Sequence, residues 1–243
     1  MEPVRQLLLT ALVTLLGSFI QSSSGFGYAI ICMSFLPMIM PFVTASVLEV
    51  LTAFFMVAYL AFRLWRHIDW NLLLPPLLAS SVFSFLGVST LMSLSDIVLK
   101  RLLGAALLAL AFYFVALYKR FRMKGSLVSG IAAGVIGGFM GGLFNIGGPP
   151  MVAYFLSASD DKQRYNATLQ AFFFSNTILI SLIHLFRGNV TPAMLPLGLA
   201  ALGGTAAGTF SGFLLFKKLS LPGIRKFVWL FMAIAGLMLI VFT

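Results

Sequence analysis

Long apolar runs recur along the whole chain, separated by gaps too short to be domains. A bilayer core takes about 20 apolar residues per helix. On that ruler six runs read as single spans: Thr44 to Phe62, Leu72 to Leu94, Leu102 to Tyr118, Asn166 to Phe186, Ala193 to Phe216 and Phe227 to Phe242. Two further runs, Val4 to Val43 and Leu127 to Ser157, are too long for one helix. Each is interrupted by a turn-forming cluster, Gln21-Ser22-Ser23-Ser24-Gly25-Phe26-Gly27 in the first and Asn145-Ile146-Gly147-Gly148-Pro149-Pro150 in the second. Composition agrees: of 243 residues 60% are hydrophobic and 9% charged, with a mean hydropathy of +1.06. A soluble domain is about a quarter charged, so the chain reads as an all-α polytopic membrane protein. The single cysteine, Cys32, lies in an apolar run and excludes an internal disulfide.

Sixteen Lys+Arg against six Asp+Glu give a net charge of +10, which in a soluble chain would suggest nucleic acid. Here the basic residues fill the gaps between apolar runs, the pattern of cytoplasmic loops, so no nucleic-acid partner is expected. Their distribution also discriminates between topologies. If each interrupted run crosses once, the sixteen divide eight to eight between the two sides. If each is a hairpin that enters and returns, one side holds Arg63, Arg66, Lys119, Arg120, Arg122, Lys124, Lys162, Arg164, Lys217, Lys218, Arg225 and Lys226, and the other only Arg5, Lys100, Arg101 and Arg187. Twelve to four is the bias of a real membrane protein, which selects re-entrant hairpins with both termini outside. Met1 to Arg5 followed by Leu7 to Ile20 has the charge and apolar run of a signal sequence, but no small-x-small cleavage site follows, so the segment is read as retained.

The chain resembles itself at an offset of 121. Gly17 pairs with Gly138, Gly27 with Gly148, Arg66 with Arg187, Pro75 with Pro196 and Gly87 with Gly208. Residues 1–121 and 122–243 then form two repeats, each one hairpin plus three spans. Three crossings leave the second repeat inverted relative to the first. Inverted repeats with a broken helix at corresponding positions point to a secondary transporter.

Non-helical backbone at membrane depth has to be buried in protein or line a wet cavity. Each break restarts a helix, one near Gly27 and one near Pro149, and a helix start offers N–H groups and the positive end of its dipole to an anion. Ser22, Ser23, Ser24 and Asn145 add uncharged donors, and the glycines allow close approach. Gln21 to Gly27 and Asn145, Ile146, Gly147, Gly148 and Pro149 are therefore the expected substrate-binding residues, two tips from opposite sides forming one neutral pocket. In the span from Asn166, Asn166, Gln170, Thr177, Ser181 and His184 fall within about 60° of one another at 100° per residue. Gln170, Asn176 and Thr177 are expected to line the pathway. In the span from Thr44, Glu49, Thr52, Tyr59 and Arg63 share a face; an ionisable group inside a span is a functional candidate, so Glu49 is the expected coupling or gating carboxylate. Arg164 is placed at the cytoplasmic mouth. The glycine ladders 130/134/138/142 and 204/208/212 read as close helix packing. His67 and His184 have no ligand-spaced partner, and no catalytic or metal constellation and no cofactor site is read from the sequence.

At its two breaks the sequence resembles the TauE/SafE sulfite-exporter family. The residues that carry this are Ser24-Gly25-Phe26-Gly27-Tyr28-Ala29 with Pro37 beyond, and Gly142-Leu143-Phe144-Asn145-Ile146-Gly147-Gly148-Pro149-Pro150-Met151-Val152. Arg164-Tyr165-Asn166-Ala167-Thr168-Leu169 is similar to the family's basic residue and Ala-Thr-Leu step. Tyr28 and Pro149 stand where many members have a third consecutive glycine. The resemblance implies a bacterial inner-membrane carrier, not an enzyme, for sulfite, sulfonates or related small anions, often exporting them. A proton or counter-ion is the expected coupling partner, and a second copy of the chain a candidate one. An anion channel would share the same re-entrant elements.

Overall fold

The computed structural model describes residues 3–117, 125–215 and 221–242. Among them are ten α-helices and no strand: α1 (Pro3–Ser24), α2 (Tyr28–Ile39), α3 (Phe42–Leu64), α4 (Trp70–Ser93), α5 (Asp96–Phe112), α6 (Leu127–Phe144), α7 (Gly148–Ala158), α8 (Lys162–Phe186), α9 (Leu195–Leu215) and α10 (Leu221–Val241). Seven of them, α1, α3, α4, α5, α6, α8 and α9, are long and apolar enough to cross a membrane. The chain is a helical membrane protein. Of the basic residues counted above, Lys119, Arg120, Arg122, Lys124, Lys217 and Lys218 lie outside the described residues, as do the side chains of Ser24, Arg225 and Lys226.

Both interrupted runs fold back as hairpins, with arms of unequal length. In the first, Gln6 Nε2 donates to the Ile39 carbonyl at 2.9 Å. A Cβ built on Gly17 would meet Tyr28 and Cys32 at 3.1 Å. Residues 6 to 17 of α1 thus run antiparallel to 39 to 28 of α2. In the second, Gly125 faces Ala158, Gly130 faces Tyr154 and Gly137 faces Met151. The first arms, of 22 and 18 residues, span about 33 and 27 Å, and the return arms, of 12 and 11 residues, only about 18 and 16 Å. The first break is also shorter than its sequence suggested. Gln21 to Ser24 continue α1, because the Ser23 hydroxyl bonds back to the Phe19 carbonyl at 2.8 Å and helix geometry satisfies it. The turn is made by Gly25 (φ 86°) and Gly27 (φ 122°), a region of backbone space that glycine enters without a Cβ penalty.

The chain packs as two compact units. One comprises Met1–Ala53, Leu94–Tyr118 and Gly188–Thr243, the other Phe54–Ser93 and Lys119–Arg187. Each unit takes a hairpin from one half of the sequence and the penultimate helix of the other half. In the first unit α1 lies along α9: a Cβ on Gly204 would strike the Ala11 carbonyl, on Gly208 the Leu15 carbonyl, and on Gly212 the Phe19 carbonyl at 2.8 Å. In the second α6 lies along α4 in the same way, Gly134 on Pro76, Gly138 on Ser80 and Gly142 on Ser84. Steps of four on both partners make each pair parallel and close-packed. In lipid, where burying apolar surface brings helices no advantage, this contact at backbone distance is what holds them. The first unit adds a third glycine contact, α5 to α10, where a Cβ on Gly104 would stand 2.7 Å from the Gly236 carbonyl.

Candidate functional site

In the first unit the break buries the start of α2 among polar neighbours. The Gln21 side chain is tied to this helix start. Its Oε1 accepts from the Tyr28 backbone N–H at 2.9 Å and so caps α2. Tyr28 is 1% exposed, and its hydroxyl lies 2.5 Å from Thr52 Oγ1 and 2.9 Å from Thr205 Oγ1. Proton counting gives this chain a direction. The Thr52 hydroxyl donates to the Leu48 carbonyl at 2.6 Å, so Tyr28 donates to Thr52, and Thr205 donates to Tyr28. Thr52 is ten residues into the 23-residue α3, and Thr205 ten into the 21-residue α9, so the network sits at mid-helix in both. Glu49 is 3% exposed and within electrostatic reach of Tyr28 and Cys32. The carboxylate singled out in the sequence therefore belongs to this cluster, whereas Tyr59, on the same helical face, is 52% exposed.

The remaining first-break residues have separate environments. Ser22 is buried against Gly212 of α9, where a Cβ on that glycine would lie 2.9 Å from Ser22 Cβ, and its hydroxyl has no partner in the described structure. The Phe26 ring lies 6.4 Å from Phe114, which stacks on Trp229 at 6.0 Å. This aromatic packing ties the connection to the segment just after α5 and to the middle of α10.

In the second unit Asn145 ends α6 in the left-handed conformation (φ 60°), its N–H donating to the Gly141 carbonyl at 2.8 Å. Ile146 is buried, and Gly147 is the N-cap of α7, pressed on the Gly137 carbonyl. Pro149 and Pro150 occupy the first turn, where missing N–H groups break no helix bond. From α8, Asn176 reaches this break: its Oδ1 accepts from the Ser84 hydroxyl at 2.8 Å, and its Nδ2 lies 3.0 Å from where a Gly141 Cβ would be. Ser84 and Asn176 are each fourteen residues into their helices, again mid-helix. Gln170, six residues earlier on α8, is 1% exposed, with Nε2 donating to Asn166 Oδ1 at 3.3 Å, and Thr177 is half-buried.

Arg164 pairs with Asp69, Nε to Oδ2 at 3.4 Å, its side chain 58% exposed. Asp69 is fixed on its other side: its Oδ1 accepts from Leu72 N–H at 3.1 Å, capping α4, and its own N–H donates to Thr168 Oγ1 at 3.0 Å. The Thr168 hydroxyl donates to the Arg164 carbonyl at 2.8 Å. The Arg-Tyr-Asn-Ala-Thr segment thus locks the start of α8 to the start of α4. Sequence reading missed Asp69, Ser84 and Thr205; for the last two the signal was a hydroxyl in mid-span at positions 121 apart.

Each unit therefore brings a helix start and uncharged hydroxyl or amide groups together at mid-helix depth. In the second unit the Asn176 N–H groups remain to favour an anion through their dipoles, whereas in the first the hydroxyl protons are spent within the network, beside the buried Glu49. The family profile described as Sulfite exporter TauE/SafE matches residues 10–239, nearly the whole chain. Neither the curated proteins nor the solved structures contain a match to it.

Proposed function

The chain belongs to the TauE/SafE family of sulfite exporters, and on that premise we propose that it carries a small oxyanion, sulfite or an organosulfonate, out of the cell across a bacterial inner membrane by alternating access. The family consists of membrane transporters and not enzymes. The observation that carries the reading is the pair of interrupted hairpins, whose return helices begin at mid-helix depth beside neutral donors. In each unit the anion meets the backbone and small polar groups of the break, Gln21 to Gly27 in one and Asn145 to Pro149 in the other. Asn176, Gln170 and Thr177 line its path. Glu49 couples transport to a proton or counter-ion, and Arg164 raises the local anion concentration at the mouth. Both termini face outward, supported by the twelve-to-four distribution of basic residues.

Alternating access is supported by the signs of an inverted repeat. Gly87 and Gly208, 121 residues apart, press on Phe139 and Ser18, themselves 121 apart. Thr205 and Ser84 share the same offset, and each holds a mid-helix polar contact. Sulfite flux into proteoliposomes tests the reading: flux that saturates and responds to an imposed pH or counter-anion gradient is expected. Ion-rate conductance in a planar bilayer would make the protein a channel and overturn the carrier.

A further inference from the structure

The second break holds a donor with nothing to donate to. Asn176 is 8% exposed, and with Oδ1 taken by Ser84 its Nδ2 has no hydrogen-bond partner among the described residues. A Cβ built on Gly141 would stand 3.0 Å from that Nδ2, 3.7 Å from Gly147 Cα and 3.9 Å from Gly147 N. The amide thus lies close beside the start of α7, an approach that is possible because residue 141 has no side chain. Helix α7 needs the help. Of the N–H groups that a first turn offers, Pro149 and Pro150 remove two, and the Asn176 amide supplies two in their place.

What orients the amide is Ser84. Its hydroxyl has one proton and two acceptors in reach, Asn176 Oδ1 at 2.8 Å and the Gly138 carbonyl at 3.2 Å. The shorter contact takes the proton and holds Oδ1 away from the break. We propose that Ser84 is a positioning residue that makes this break a donor-only site, selective for oxyanions whose oxygens are all acceptors, such as sulfite and sulfonates, over those that present an O–H, such as hydrogenphosphate. Rejection follows from the amide's orientation: an O–H turned toward its N–H bonds meets donors and not Oδ1, and a buried unpaired donor is penalised more than a hydrogen bond contributes.

The inference rests on the transport reading above, and the test separates the two. Binding of sulfite, methanesulfonate and phosphate to the detergent-purified full chain is measured by calorimetry at pH 8 for the parent and for Ser84→Ala, Ser84→Thr, Asn176→Asp and Gly141→Ala. The parent is expected to bind the first two ligands and not phosphate. Ser84→Ala frees the amide to turn, so sulfite affinity falls about tenfold or more and the preference over phosphate collapses. Ser84→Thr, which keeps the hydroxyl, restores both. Asn176→Asp, keeping shape but replacing donors with charge, abolishes sulfite binding, as does Gly141→Ala, whose Cβ crowds Nδ2 from 3.0 Å without touching Ser84. A parent-like sulfite-to-phosphate ratio in Ser84→Ala refutes the positioning role. If that variant does not fold, sulfite binding retained in Gly141→Ala refutes the site. A parent chain that binds neither sulfite nor methanesulfonate and shows no flux fails the transport reading itself.

Discussion

Two adjacent glycines of α9 should respond to the same substitution with opposite sign. Gly204 faces α1, and an alanine Cβ there would lie 2.9 Å from the Ala11 carbonyl carbon, with the Ala11 oxygen and the Thr14 hydroxyl closer still. Ordinary contact begins at 3.4 Å, so the seam has to open by at least 3.4 − 2.9 = 0.5 Å, and the obstacle is backbone that cannot rotate aside. At Gly203, one residue earlier, a Cβ meets nothing within 4 Å. Replacing glycine by alanine favours the helix by about 1 kcal/mol at either position, so that contribution cancels in the comparison. What remains is overpacking, about 1–3 kcal/mol. For a chain of this size each kcal/mol moves the melting temperature by about 2–4 °C. Gly203→Ala is expected to match or exceed the parent in thermal unfolding of the detergent-solubilised protein, and Gly204→Ala to melt several degrees below Gly203→Ala. Function should follow, because the shift carries Thr205 away from the Tyr28 hydroxyl, now 2.9 Å distant. A Gly204→Ala protein as stable as Gly203→Ala would refute the claim that α1 and α9 meet at backbone distance.

Tyr28→Phe removes the acceptor of the Thr205 hydroxyl but leaves Thr52 bonded to Leu48; a loss of about 1–3 kcal/mol is expected, and Thr205→Val added to it should cost little more in a double-mutant cycle. Gly27→Ala places a side chain at φ 122° and 3.1 Å from Ile20, a strain of about 1–3 kcal/mol that lower yield and melting temperature would reveal. Gly148→Ala meets only the Phe173 ring at 3.3 Å; it should fold, so sulfite binding measured on it reports the site and not the fold. Arg164→Gln breaks an exposed ion pair of about 0–1 kcal/mol and should leave stability unchanged while slowing initial sulfite uptake at low ionic strength. That difference should vanish at high salt, where steering is screened.

The breaks were legible because glycine and proline act locally: the turn at Gly25–Gly27 and the restart at Gly148-Pro149-Pro150 fall within the clusters read from sequence. The glycine ladders announced close packing, but not that α9 would meet α1 or α6 meet α4, since a four-residue period specifies a seam and not its partner. At Gln21 local reading left out a second duty of the side chain. A side chain near a helix start serves the backbone first, and its Oε1 caps Tyr28. Asp69 stood in a short gap among basic residues with no period to mark it, and only the folded chain brings it to Arg164 and Thr168. Ser84 and Thr205 were within reach, being mid-span hydroxyls at the repeat offset, yet a single serine or threonine in an apolar run satisfies itself on its own helix so often that the residue alone carries little information.

The pairing of α1 with α9 also sets a timetable for synthesis. The contact partners Ala11 and Gly204 are 204 − 11 = 193 residues apart, whereas Pro76 and Gly134 are separated by 134 − 76 = 58. At about 5–20 residues per second, α6 finds α4 within roughly 3–12 s, but α1 waits about 10–40 s for its neighbour. Three hydroxyls on α1 are already satisfied within the helix while it waits in lipid. Thr10, Thr14 and Ser18, all buried in the finished protein, donate to the carbonyls of Gln6, Thr10 and Thr14 at 2.8, 3.0 and 2.7 Å. The unit built around the second hairpin is thus completed on the ribosome first. The earliest helix to be made is among the last to gain its glycine seam, and Thr10, Thr14 and Ser18 are served by their own helix until then.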